Sequence, residues 1–117
     1  TGVQTCALPI CTRQKVGASL AFLFHPEVLI LDEPTAGLDP LATEILKEKI
    51  QKEKANGRLL LITSHILSDL EELISEVIYL QEGKLLFHKS WEQLQTDTSE
   101  KKLSKAIAKV MSQSAKP

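Results

Sequence analysis

Cysteine is nearly missing from this sequence: of 117 residues only Cys6 and Cys11 are of that type, both close to the start. A disulfide framework is therefore excluded as the main brace of the fold, and the usage favours a reducing compartment. A zinc site built on the Cys-x4-Cys pair would need further ligands, and His25, His65 and His88 are single and scattered. Aromatic residues make up 4%, and 14 Lys and Arg are offset by 15 Asp and Glu for a formal net charge of −1. With neither a basic field nor a base-stacking platform, no direct nucleic-acid binding is expected. No apolar run approaches the roughly 20 residues needed to span a bilayer, so any membrane association must come through a partner. A Gly-x-x-x-x-Gly-Lys-Ser/Thr phosphate loop is also nowhere in the chain. What is present, 43% hydrophobic residues, argues against disorder and suffices for one small globular domain.

The stretch from Val28 to Pro40 carries the most information. Val28 to Leu31 is apolar without alternation, the pattern of a strand covered on both faces. Asp32 and Glu33 follow at its carboxyl end, where ligands sit in open α/β sheets and where an acid pair is placed to hold a metal ion and handle a proton. Pro34 stops the strand, Gly37 permits a tight turn, Asp39 suits an N-cap, and Pro40 fits the first helical position. The helix this starts is expected to run to Ala55 with Leu41, Ile45, Leu46 and Ile50 inward, and to stop at Asn56-Gly57. Its Lys and Glu residues, with Glu48/Lys52 and Lys49/Glu53 spaced to pair, read as a solvated face.

Leu59 to Thr63 is a second buried strand with Ser64 and His65 at its end. An intervening helix makes the two strands parallel neighbours, which brings His65 beside the acid pair. Upstream, Val16, Leu20, Leu23 and Phe24 form one apolar stripe of a helix beginning near Thr12 and ending at His25-Pro26. Downstream, Leu67 to Ile74 reads as a short amphipathic helix, and Val77–Leu80 with Lys84–Phe87 as a hairpin turned at Gly83. Ser90 to Gln93 has capping-box spacing, Tyr79, Phe87 and Trp91 are expected to pack, and a last helix spans about Ser99 to Ser112 with Leu103, Ile107, Val110 and Met111 on one side.

The run Leu29-Ile30-Leu31-Asp32-Glu33-Pro34-Thr35, then Ala36-Gly37-Leu38-Asp39-Pro40, then Thr63-Ser64-His65, resembles the Walker B motif, D-loop and switch histidine of ABC transporter ATPase domains. The resemblance extends from about Thr12 to about Phe87. It implies an α/β fold, a P-loop NTPase-like parallel sheet truncated along one side, with a C-terminal hairpin and helical tail. By residue, it implies that Asp32 holds magnesium, that Glu33 polarises the attacking water, and that His65 contacts the γ-phosphate of ATP. Asp39 would reach the nucleotide site of a second ATPase subunit across a dimer. Thr12-Arg13-Gln14-Lys15 is similar to the family's residues at a helix start facing the partner's nucleotide, so Gln14 is expected to bind cofactor, with Arg13 and Lys15 read as solvated charges. The implied cofactors are ATP and Mg2+. The implied partners are a membrane permease and that second subunit, at the cytoplasmic face of the membrane. A soluble ABC-type ATPase acting on ribosomes or DNA is the alternative, and a non-catalytic partner-binding module is a third. Tandem cassettes and long coiled-coil insertions, usual in the soluble class, are not seen after His65.

Residues 1–11 break from this pattern. Thr1 to Ile10 resembles a translated sequencing-library adapter and stands where the family places its Leu-Ser-Gly-Gly run. Positions 1–11 are therefore expected to be a non-native segment, 12–89 a partial ATPase domain, and 90–117 a helical tail.

Overall fold

The computed structural model describes residues 10–115, so positions 1–9, most of the adapter-like segment, lie outside the described residues. Two compact units are present, one ending at His65 and one beginning at Ile66.

The first unit contains helix α1 (Ile10–Phe22), strand β1 (Val28–Asp32), helix α2 (Pro40–Ala55) and strand β2 (Leu59–Thr63). β1 and β2 pair in parallel, joined through α2, with Leu29 opposite Leu60, Leu31 opposite Ile62 and Asp32 opposite Thr63. Because side chains alternate along a strand, this register places Leu29, Leu31, Leu60 and Ile62 on one face and Val28, Ile30, Leu59 and Leu61 on the other. Only the first face is covered. Leu29 and Leu31 are 2% and 5% exposed, whereas Ile30 and Leu59 are 67% and 65% exposed. The strand is apolar on both faces, and among the described residues one of them is covered: α1 packs on β1 and α2 on β2, and the buried apolar residues of these helices are Phe22, Leu46 and Ile50.

The same geometry corrects two helix assignments. The expected stripe of α1 is outside, with Val16, Leu20, Leu23 and Phe24 all exposed, and the buried anchor is Phe22, the last helical residue. In α2 the inward pair is Leu46 and Ile50, while Leu41 and Ile45 are exposed and line, with Leu23, an open groove between α1 and α2. Periodicity marks which residues share a side; it does not say how far a two-stranded sheet reaches under a helix.

The termini of α2 match their sequence cues. Asp39 caps it, its Oδ1 accepting from the Ala42 N–H at 2.7 Å, and Pro40 opens it. Beyond Asn56 the chain reverses at Gly57, whose φ of 79° suits a residue without a Cβ. Glu53, read from sequence as solvated, is buried. Arg58 reaches back over it in direct ion contact, and also donates to the carbonyls of His25 and, at 2.8 Å, Pro26. Lys49 stands 3.3 Å from the same carboxylate. This cluster ties the end of α2 to the turn before β1, and burying Glu53 is tolerable only because its charge is matched.

The second unit starts with a 3-10 helix, Leu67–Asp69, shorter than the helix expected over Leu67 to Ile74; Leu70 and Leu73 of the following turn are buried. Strands β3 (Glu76–Gln81) and β4 (Lys84–Ser90) form an antiparallel hairpin. Its two-residue turn has φ of 51° at Glu82 and 74° at Gly83, the left-handed pair that matches strand twist. The rings of Tyr79 and Phe87 stack at 5.4 Å. Helix α3 (Trp91–Thr98) is capped by Ser90 Oγ, which accepts from the Gln93 N–H at 3.0 Å. Helix α4 (Leu103–Ser114) buries Leu103, Ala106 and Ile107, and the Leu103 N–H donates to Glu71 at 2.7 Å. Among the described residues no helix is long and apolar enough to cross a membrane.

Candidate functional site

The carboxyl ends of β1 and β2 carry the candidate site. The register that sets Asp32 beside Thr63 lets the Thr63 hydroxyl donate to Asp32 Oδ1 at 2.5 Å. The next backbone step extends the ladder, the Glu33 N–H donating to the Thr63 carbonyl at 2.8 Å. The chain then turns sharply: Glu33 has a φ of 48°, in the left-handed region, followed at once by Pro34. With β1 ended, the Glu33 carboxylate meets His65, its Oε1 lying 2.7 Å from the ring Nδ1 and 3.1 Å from the backbone N–H. An ionised carboxylate only accepts, so Nδ1 carries the proton in this pair and Nε2 is left for another partner. The ring hydrogen bond is the largest influence on Glu33 and holds its carboxyl below the ordinary value of 4.5, desolvation opposing and the His65 N–H assisting.

Two residues of the first unit approach from the helices. Gln14 of α1 donates from Nε2 to the Glu33 carbonyl at 2.8 Å. Asp39, engaged as the cap of α2, has Oδ2 3.8 Å from Lys15 Nζ, a loose surface pair. The structure thus brings Asp32, Glu33, His65 and Gln14 into one linked set, while Asp39 is engaged at the start of α2. Thr63, not singled out from sequence as a site residue, belongs to the set, and the signal that would have found it is its position opposite Asp32 in the parallel register. Thr35, just after the acid pair, is buried with a hydroxyl that has no hydrogen-bond partner among the described residues.

The donor set suits a hard cation held mostly by others. Magnesium takes oxygen ligands and usually keeps several waters, bound by one or two carboxylates together with substrate phosphates. Asp32 is an exposed carboxylate with a hydroxyl oxygen beside it, and among the described residues no group of three or more His, Cys, Asp and Glu forms a cage. A fully protein-bound metal is not what this edge offers, and a water- and phosphate-bound Mg2+ at Asp32 fits it.

No protein-family model matches the chain. It is 39% identical over 80 residues to the lantibiotic transport ATP-binding protein SrtF of Streptococcus pyogenes, an alignment that takes in 68% of this chain and 35% of that protein. It is 44% identical over 75 residues to the bacitracin transport ATP-binding protein BcrA of Bacillus licheniformis, covering 63% of this chain and 24% of that one. Among solved structures, an ATP-binding subunit of an ABC transporter superposes with a TM-score of 0.80 at 28% identity, over 90% of this chain and 45% of that one. The chain thus spans about a third or less of the length of these curated relatives. By sequence over about two thirds of its length, and by its α/β architecture of a small parallel sheet and an antiparallel hairpin, the chain is homologous to the ATP-binding proteins of ABC transporters.

Proposed function

We propose that this chain is a fragment of the ATP-hydrolysing subunit of an ABC transporter, from the second half of its ATPase domain, with residues 12–89 forming part of the catalytic domain and 90–117 a helical tail. The single observation that carries the reading is the convergence of Asp32, Glu33 and His65 at the carboxyl ends of two parallel strands. On this reading Asp32 holds Mg2+, which when bound would neutralise phosphate charge. Glu33 accepts a hydrogen bond from the attacking water and takes on its developing proton. His65, its Nδ1–H given to Glu33, would contact the γ-phosphate through Nε2, which must then carry a proton too because phosphate oxygens only accept. Phosphoryl transfer requires mainly positioning and charge stabilisation, and one carboxylate for the metal with one for the water meets that need.

The phosphate loop that would cradle the triphosphate is not in this sequence, so on this reading it belongs to a preceding half of the subunit. The open face of Val28, Ile30, Leu59 and Leu61 supports this, since an apolar sheet face of this size is unusual unless something covers it. The subunit would work as a dimer, Asp39 facing the second nucleotide site, on the cytoplasmic side of a membrane permease. Transport is preferred over a soluble ABC-type ATPase acting on ribosomes or DNA because the relatives quoted above are named for transport. The test is Glu33→Gln in the full-length subunit: nucleotide binding is retained and hydrolysis falls about 10²–10⁴-fold, since an amide keeps the shape but not the basicity. Unchanged turnover in the purified variant refutes the assignment.

A further inference from the structure

We infer that Gln14 is a positioning residue for Glu33, holding through its side-chain amide the backbone conformation that aims the Glu33 carboxylate; the inference rests on the hydrolytic role proposed above. Glu33 sits at a φ of 48°, a region that residues other than Gly, Asn and Asp seldom hold. Such a conformation persists only where the surroundings over-determine it. The choice at this position is narrow. Pro34 disfavours the right-handed helical region for the residue before it, which leaves the extended and left-handed forms. The extended form would carry β1 straight on and swing both the carbonyl and the carboxylate of Glu33 away from their present partners.

The bonds that select the left-handed form come from three directions. The Thr63 carbonyl takes the Glu33 N–H at 2.8 Å, and the His65 N–H and ring hold the carboxylate, so β2 and its exit fix two of the three polar groups. The third, the Glu33 carbonyl, accepts from the Ala36 N–H at 3.2 Å within its own turn and from Gln14 Nε2 at 2.8 Å. Gln14 is the contribution from α1, 19 residues earlier in the chain, and it is part-buried. It fixes the carbonyl of the Glu33–Pro34 peptide while His65 fixes the carboxylate, so both the backbone and the side chain of Glu33 are held. A shift of α1 would be felt at Glu33 through this bond. The role differs from contact with nucleotide, because the Nε2 donor is engaged inside the subunit.

The experiment uses the full-length subunit carrying this sequence, with Gln14→Met, which keeps length and volume but no donor, and Gln14→Lys, which keeps a donor. Steady-state ATP turnover and hydrogen exchange of the Glu33 amide are measured on both, beside Glu33→Gln. A misplacement of about 1 Å costs on the order of 10²-fold, so Gln14→Met is expected to lower kcat by about 10–100-fold with KM for ATP changed less than about twofold. Gln14→Lys should lose at least about threefold less turnover than Gln14→Met, and exchange at Glu33 should quicken more in Met than in Lys. Equal losses in the two variants, or a Met variant that matches the parent while Glu33→Gln is inactive, overturn the inference in favour of plain packing. If Glu33→Gln itself retains turnover, the hydrolytic reading falls, and unchanged exchange at Glu33 in Gln14→Met then overturns the positioning role as well.

Discussion

Ile30 offers a sharp test of whether the open face of the β1–β2 sheet is a surface or an interior. In this structure its residue is 67% exposed, against 2% for its neighbour Leu29 on the opposite face. If the face belongs to solvent, Ile30→Ser is an ordinary surface change, worth less than about 0.5 kcal/mol. If a preceding half of the subunit covers it, the full-length protein buries what is exposed here. Fully burying an Ile side chain is worth about 1.5–3 kcal/mol, so the exposed two thirds amount to about 1–2 kcal/mol. Serine would add the cost of desolvating an unpaired hydroxyl, about 1–3 kcal/mol, for a total destabilisation of about 2–5 kcal/mol. The assay is urea unfolding of the full-length subunit, comparing midpoints and slopes for the parent and Ile30→Ser, with Leu29→Ala as a reference of about 2–5 kcal/mol. A shift equivalent to under about 0.5 kcal/mol for Ile30→Ser, with the usual large shift for Leu29→Ala, refutes the covered-face reasoning and the two-half architecture with it.

His65→Ala in the full-length subunit should reduce ATP turnover by about 10²-fold while changing ATP affinity far less, because the imidazole is proposed to act at the γ-phosphate during transfer; a loss confined to binding, with saturated turnover intact, would mean that the ring only packs the site. Asp97 provides a pH test in the second unit: Lys89 Nζ at 2.8 Å and Gln93 Nε2 at 2.7 Å hold its carboxyl below the ordinary 3.8. A folded-state value below the unfolded one means that its contribution is complete above the ordinary carboxylate value and is lost as pH falls through the depressed one. The stability difference between the parent and Asp97→Asn should therefore shrink as pH drops below about 4, and a difference that stays constant across that range in urea titrations would disprove the linkage.

Much of the local structure was legible in the chain because its causes are local. Asp39 and Pro40 start α2, Gly57 and Gly83 sit where the backbone turns left-handed, and Ser90 caps α3, each through a bond or a φ angle spanning a few residues. The hairpin and the parallel pairing of β1 with β2 were also readable, since an apolar run, a helix and a second apolar run leave few topologies. The sequence likewise singled out Asp32, Glu33 and His65, which the parallel pairing brings to one sheet edge.

Tertiary structure decided how those residues are held and which apolar residues are interior. Glu33 meets His65 only because a parallel register places Asp32 beside Thr63 and because the backbone turns at a φ of 48°, a conformation that no propensity favours for glutamate. Gln14 finds the Glu33 carbonyl across 19 residues, and Arg58 converts Glu53 from a solvated acid into a buried one; neither contact has a periodic sequence cue. Apolar pattern alone assigned Ile30, Leu20 and Leu41 to a core, yet among the described residues Ile30 lies on the uncovered face of the sheet and Leu20 and Leu41 are exposed on their helices. Burial depends on what stands opposite a side chain. A sequence specifies that locally for turns and caps, and only through the assembled fold for everything else.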